Sequence, residues 1–165
     1  MKAKNIQLLM FSMLLVISMG VALVAFLGMA KERFPENITV SENGVTESTL
    51  PIRDLQLNPT ESREYSVNLV CDATGSYNIY VDYEEKNDGG MKPFIEVTVK
   101  LGGEIVYIGS LATLLNTDMV IEMEGELDES EPLVLSFCYL MPYEIGNEAQ
   151  GTFSEFDTHI KIKKS

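Results

Sequence analysis

The sequence predicts an all-β protein: an antiparallel, jelly-roll-like β-sandwich preceded by one N-terminal apolar helix. Three observations lead there. Beyond residue 50, apolar residues recur at alternate positions, the period that turns one face of a strand inward. Clusters of Gly, Pro, Asn and Asp break these runs at intervals of about 8–15 residues, as in sandwiches and barrels. In that same part of the chain only Ser110 to Leu115 has helical character.

In chain order, Ile6 to Ala30 is a run of 25 residues without a charge, preceded by Lys2 and Lys4. As a helix it reaches the roughly 30 Å of a bilayer's hydrocarbon core. Residues 1–30 are therefore expected to be a signal peptide or a transmembrane anchor. Their length favours retention, whereas Gly28 and Ala30 offer a small-residue cleavage signal before Lys31. The two lysines favour an N-terminus inside and the following domain outside, at the cell membrane or beyond it. Residues 31–49 read as a polar linker with two β-prone stretches, Asn37 to Val40 and Ser48 to Ile52. Residues 50–165 are the expected sandwich ectodomain.

Within it, Tyr65, Val67, Leu69 and Cys71 share one face of a strand, and Tyr77, Ile79, Val81 and Tyr83 repeat the pattern after Asp72 to Gly75. These two are expected to pair as a hairpin. Glu84 to Gly90 reads as a turn. Ile95 to Leu101 and Ile105 to Ile108 flank Gly102-Gly103, a strong hairpin signal. Further strands are expected at Asp118 to Glu124, Pro132 to Leu140 and Phe153 to Lys163. An immunoglobulin-like sandwich is the second choice, disfavoured because the chain has no tryptophan.

Composition excludes several functions. All 25 acidic residues follow Ala30, against ten Lys and Arg, which leaves fifteen net negative charges there. Such a surface repels nucleic acid. The sequence lacks the HExxH, GxSxG, Walker-type and CxxC patterns. The single histidine, His159, is placed with Asp157 and Lys161 on the solvent side of its strand. Carboxylate pairs occur at Glu84-Glu85, at Glu122 with Glu124, and at Asp128 to Glu131, with no spacing that singles out a catalytic dyad. No catalytic residue and no cofactor is expected, and the chain is not expected to be an enzyme. Asn87 to Gly90 and Asp128 to Glu131 offer oxygen ligands for calcium without the EF-hand spacing. Cys71 and Cys138 are a candidate disulfide in an exported protein. Their strand phases oppose it, since Cys138 alternates with the inward set Leu133, Leu135, Phe137 and Tyr139, and two free thiols are the other reading. Asn37-Ile-Thr39 matches a glycosylation sequon.

Several segments carry a resemblance. Asp54-Leu-Gln-Leu-Asn-Pro-Thr60 with Glu64 to Val70, Phe94 to Val99, Gly102 to Tyr107, Gly109 to Leu114, and Gly146 to Gly151 before Phe156-Asp157 resemble, in order, the TasA/camelysin family of exported bacterial β-sandwich proteins. That family includes biofilm-matrix fibre subunits. The chain departs from it at Leu57-Asn-Pro-Thr-Glu61, where the family has Leu-x-Pro-Gly-Asp. It also keeps only Ala25-Phe26 of the family's N-terminal motif. The resemblance implies a cell-surface or extracellular-matrix structural protein, a fibre subunit that assembles with further copies by strand addition. Ile38 and Val40 would then be the pocket-filling residues of a donor strand, the alternative for that stretch being a plain tether. The other functional class is a membrane-anchored β-sandwich that binds calcium or carbohydrate on its loops.

Overall fold

Alternating burial along the chain divides it into strands, as the sequence pattern requires. In the computed structural model, residues 36–117 and 119–165 are described; the expected N-terminal helix lies outside them. Among the described residues the strands are β1 (Asn37–Val40), β2 (Val45–Leu55), β3 (Ser62–Cys71), β4 (Gly75–Gly89), β5 (Glu96–Leu101), β6 (Glu104–Ser110), β7 (Ile121–Leu127), β8 (Leu133–Leu140) and β9 (Phe153–Lys164). One short helix, α1 (Leu111–Asn116), joins β6 to β7. The strands form two sheets, one of five in the order β1-β3-β8-β5-β6 and one of four in the order β2-β9-β4-β7.

The inner faces of the two sheets supply one core. Tyr77, Ile79 and Val81 of β4 are fully buried, while Asp82 between Val81 and Tyr83 is exposed. Phe156, Ile160 and Ile162 of β9 and Leu135, Phe137 and Tyr139 of β8 follow the same rule. Edge-to-face ring contacts fill the centre: Tyr139 and Phe156 lie 5.4 Å apart and Tyr65 and Tyr139 5.9 Å apart. Burial pushes the phenols of Tyr83 and Tyr139 well above their ordinary range, so both stay protonated. At one end α1 buries Leu111 and Leu114 and is capped by Ser110 Oγ, which accepts from the Ala112 amide at 3.2 Å.

Three sequence expectations are corrected. First, the runs 65–71 and 77–83 do not form a hairpin: β3 lies in the five-stranded sheet and β4 in the other. A tight two-residue hairpin turn needs positive φ. Gly102 and Gly103 provide it, at 58° and 89°, and β5 and β6 pair across them, whereas no residue from Asp72 to Gly75 adopts it. The chain instead crosses between sheets there, pinned by the Tyr77 hydroxyl donating to the Ala73 carbonyl at 2.7 Å.

Second, Glu84 to Gly90 is not a turn. β4 continues to Gly89 alongside β9, with a bulge between Glu85 and Asn87. Lys92 holds this extension, with its ammonium 2.8 Å from Glu85 and 2.9 Å from Asp88. A Cβ at Gly89 would run into the Phe153 ring, so the close strand approach requires glycine.

Third, residues 37–49 are not a linker. β2 pairs with β9 from Val45↔Lys163 to Leu55↔Ser154, and β1 pairs with β3 in parallel, Asn37↔Asn68 to Val40↔Cys71. The five-stranded sheet is therefore mixed at this edge. Ile38 and Val40 are 5% and 0% exposed in the chain's own core. Their spacing of two puts both on one face, and the core of this same chain covers that face.

Candidate functional site

Among the described residues, functional groups come together at the β1 edge, in a charged cluster on the four-stranded sheet, and in a cleft between two connections. At the first, β1 has a strand neighbour on one side only. The Asn68 amide donates to the Glu36 carbonyl at 2.9 Å and the Asp72 amide to the Val40 carbonyl at 3.3 Å. The Asn68 side chain donates to Asn37 Oδ1 at 3.0 Å. A link of four residues, Ser41 to Gly44, carries the chain from β1 to β2 in the opposite sheet, with Gly44 at φ 141°.

The candidate disulfide is not formed. Cys71 and Cys138 are both free. Cys138 lies opposite Glu64 and Cys71 opposite Val40, which puts them seven positions apart along β3, about 23 Å at strand rise. A bridge needs Cα atoms within about 7 Å. Cys71 faces the core, and burial raises the thiol pKa of half-buried Cys138.

The charged cluster joins three adjacent strands. β2 supplies Thr49 and Arg53, β4 supplies Glu84 and Lys86, and β9 supplies Asp157 and His159. Arg53 Nη1 lies 2.7 Å from Asp157 Oδ1, Lys86 Nζ 3.3 Å from Asp157 Oδ2 and 2.7 Å from Glu84 Oε1. His159 Nε2 lies 3.2 Å from Glu84 Oε2, and its Nδ1 lies 3.0 Å from Thr49 Oγ1. The sequence phase of His159 and Asp157 on the outer face holds, but Asp157 is 8% exposed because Arg53 and Lys86 cover it. Burial pushes the Asp157 carboxyl up, and hydrogen bonds from Arg53 and Lys86 outweigh it, leaving it below its ordinary value. A hydrogen bond from Lys86, then one from His159, lowers Glu84.

Glu84, Asp157 and His159 place one ligand atom each within 4.8 Å of one another. A cation there would have to displace the Lys86 ammonium, which already sits between the two carboxylates. Both carboxyls are held ionised, so the pair lacks the separated acid and base that hydrolysis by two carboxylates needs. The cluster acts as an electrostatic clasp across β2, β9 and β4.

The two calcium-type segments are committed locally. Asp88 is taken by Lys92 and accepts from the Gly90 amide at 2.8 Å. Asp128 Oδ1 accepts from the Ser130 amide at 2.8 Å and the Ser130 hydroxyl at 2.6 Å, a turn that closes on itself. Glu122 and Glu124 point outward from β7.

The cleft, of about 240 Å³, lies between the β2–β3 connection and the β8–β9 connection. Gln56, Asn58, Asn147 and Gln150 line it above the buried Leu57 and Ala149. Paired main-chain bonds tie the two connections together, Thr60 N to Met141 O at 2.9 Å and Met141 N to Glu61 O at 3.0 Å. Nothing in the sequence signals the cleft, because its walls are about 90 residues apart along the chain.

No family model matches the chain, and no curated protein matches it. Among solved structures, a β-glucosidase from Paenibacillus barengoltzii is similar over 81% of this chain and 12% of its own, at 14% identity and TM-score 0.40. The insecticidal delta-endotoxin Cry8Ea1 from Bacillus thuringiensis is similar over 78% of this chain and 25% of its own, at 11% identity and TM-score 0.42. PliG of Aeromonas hydrophila, a periplasmic inhibitor of g-type lysozyme, aligns over 78% of this chain and 99% of its own, at 11% identity and TM-score 0.37. The chain thus spans a small part of the first two. At these scores none of them carries fold detail or function across. Among the described residues no helix is long and apolar enough to cross a membrane.

Proposed function

We propose that the chain is an exported cell-surface or extracellular-matrix structural protein that assembles by strand addition, the function implied by its resemblance to the TasA/camelysin family. In this reading the apolar segment directs the chain to the membrane and the acidic sandwich lies outside. Its fold is a jelly roll: the orders β2-β9-β4-β7 and β3-β8-β5-β6 are those of two interleaved four-stranded sheets, and β1 is an addition at one edge.

The observation that carries the proposal is the manner of that addition. β1 is four residues long, bonded along one side, and parallel where its neighbours are antiparallel, yet it plugs Ile38 and Val40 into the core. A short strand with such anchors fills the same groove from its own chain or from another, and main-chain bonds together with side-chain pockets are how strand addition works. The donor strand expected from sequence thus has a partner within its own chain, and assembly becomes an exchange of β1 between copies.

Negative-stain electron microscopy of the purified full chain, after detergent removal, tests the function. Fibres of regular width support it. Monodisperse single domains at high concentration overturn it.

A further inference from the structure

We propose that the cleft between the β2–β3 and β8–β9 connections binds one neutral saccharide unit. In a domain with fifteen net negative charges, no ionisable side chain lines this cleft. Of the carboxylates beside the lining segments, Glu148 is exposed and outside the lining, and Asp54 and Glu61 are turned to other work. Asp54 Oδ1 accepts from Gln56 Nε2 at 2.5 Å, and Glu61 Oε2 accepts from the Asn58 amide at 2.9 Å. The first bond fixes the Gln56 amide and leaves its carbonyl oxygen as an acceptor. Asn147 and Gln150 are exposed, and their side-chain amides are uncommitted among the described residues.

A planar amide presents a donor and an acceptor side by side. Two neighbouring hydroxyls on a sugar ring present the matching pair. No cation lines the cleft to hold an anion, since Arg63 lies outside the lining and donates to the Gln56 main-chain carbonyl at 3.5 Å, and no carboxylate lines it to hold a cation. The volume is below the roughly 300 Å³ at which drug-sized sites begin, which leaves room for one ring and not a chain. Leu57, Pro59 and Ala149 give that ring an apolar floor for its C–H face.

The backbone supplies a second, independent sign. Among the described residues the non-glycine residues with positive φ are Asp54, at 52°, and Thr60, at 72°, and they bracket the lining segment 56–59. Gly151, at 74°, lies on the facing wall. Side chains in this conformation are strained, and such strain gathers at ligand-holding sites.

The inference is independent of strand addition and survives its failure. The test is ligand-observed saturation-transfer NMR on the full chain, kept in a detergent without a sugar headgroup. The probes are the methyl glycosides of glucose, galactose, mannose and N-acetylglucosamine, with glucuronate as the charged control. At least one neutral glycoside should bind in the millimolar range, and glucuronate should bind at least tenfold more weakly. Asn147→Ala/Gln150→Ala should weaken the neutral glycoside about tenfold or more, the loss expected of two hydrogen bonds. Both side chains are exposed, so circular dichroism should be unchanged; were the double variant to lose its β signal, each single variant carries the same test with a smaller loss. Glu122→Gln, on the outer face of β7, should change nothing. Failure of all four glycosides to bind, undiminished binding by the Asn147 and Gln150 variants, or equal binding of glucuronate would overturn the assignment.

Discussion

Truncating the two anchors of β1 tests whether that strand belongs to the fold, as it must before it can be exchanged. Ile38→Ala removes three buried carbons and Val40→Ala two, from side chains 5% and 0% exposed. Large-to-small changes of the first kind cost about 2–5 kcal/mol, and two buried methylene equivalents about 1.6 kcal/mol. Simple addition gives roughly 4–7 kcal/mol, comparable with the whole stability of a small domain, about 5–15 kcal/mol. β1, however, is bonded to one strand neighbour and lies at a sheet edge, so the loss should saturate once β1 leaves its groove, and β2 to β9 should still unfold cooperatively. Urea denaturation of the full chain should therefore show a destabilisation of about 2–4 kcal/mol, below the additive sum. Hydrogen exchange localises it: the amides of Asn68 and Asp72, which donate to Glu36 and Val40, should lose protection, while those of β4 and β9 keep theirs. An unchanged urea midpoint with both amides still protected would refute the placement of β1 in the core.

Two further outcomes follow from the site geometry. The carboxyl of Asp157 has its folded pKa lowered, so its charge stabilises the fold above the unfolded value of about 3.9 and the gain is lost as pH falls through the folded value. Asp157→Asn should cost about 1–2 kcal/mol at neutral pH, between an exposed and a fully buried pair, and the gap to the parent should close in acid melts; a gap constant down to the acid limit would show that the Arg53 and Lys86 pairing contributes nothing. Because Cys71 and Cys138 are far apart, dithiothreitol should leave the melting temperature of the full chain unchanged, whereas a loss of the roughly 2–4 kcal/mol typical of a bridge would place a disulfide in the protein.

Much of the sandwich was legible in the sequence because each core strand is half-buried and so writes its face as alternation: Val67, Leu69 and Cys71, or Ile79, Val81 and Tyr83. The Gly102-Gly103 hairpin was legible for a different reason, since that turn demands positive φ. Pairing was less accessible. Nothing local distinguishes Asp72 to Gly75, which crosses between sheets, from a hairpin loop of the same composition. Polar strands were missed altogether: Glu84 to Gly89 reads as a turn by composition, and only the facing β9 and the Lys92 ion pairs keep it extended. β1 and part of β2 were legible as the β-prone stretches Asn37 to Val40 and Ser48 to Ile52, but their membership of the sandwich was not, because two apolar residues among polar ones look like a tether until a groove is there to receive them. The charged clasp lay half in view. The phase of His159 and Asp157 was readable, but the burial of Asp157 depends on Arg53, more than a hundred residues away in sequence.

In the proposed assembly β1 fills in another copy the groove that it fills in its own. Asn37 and Asn68 are parallel register partners with their side chains in contact, so cysteines at the two positions lie within disulfide reach. In a Cys71→Ala/Cys138→Ser background, full chains carrying Asn37→Cys alone and Asn68→Cys alone would be mixed under assembly conditions and oxidised. Exchange predicts a disulfide-linked pair formed only in the mixture, and it predicts that a single chain carrying both cysteines, once oxidised, no longer assembles. If the doubly substituted chain closes on itself while the mixture yields no linked pair at any concentration, β1 serves only its own sandwich and the account of assembly by strand addition is contradicted.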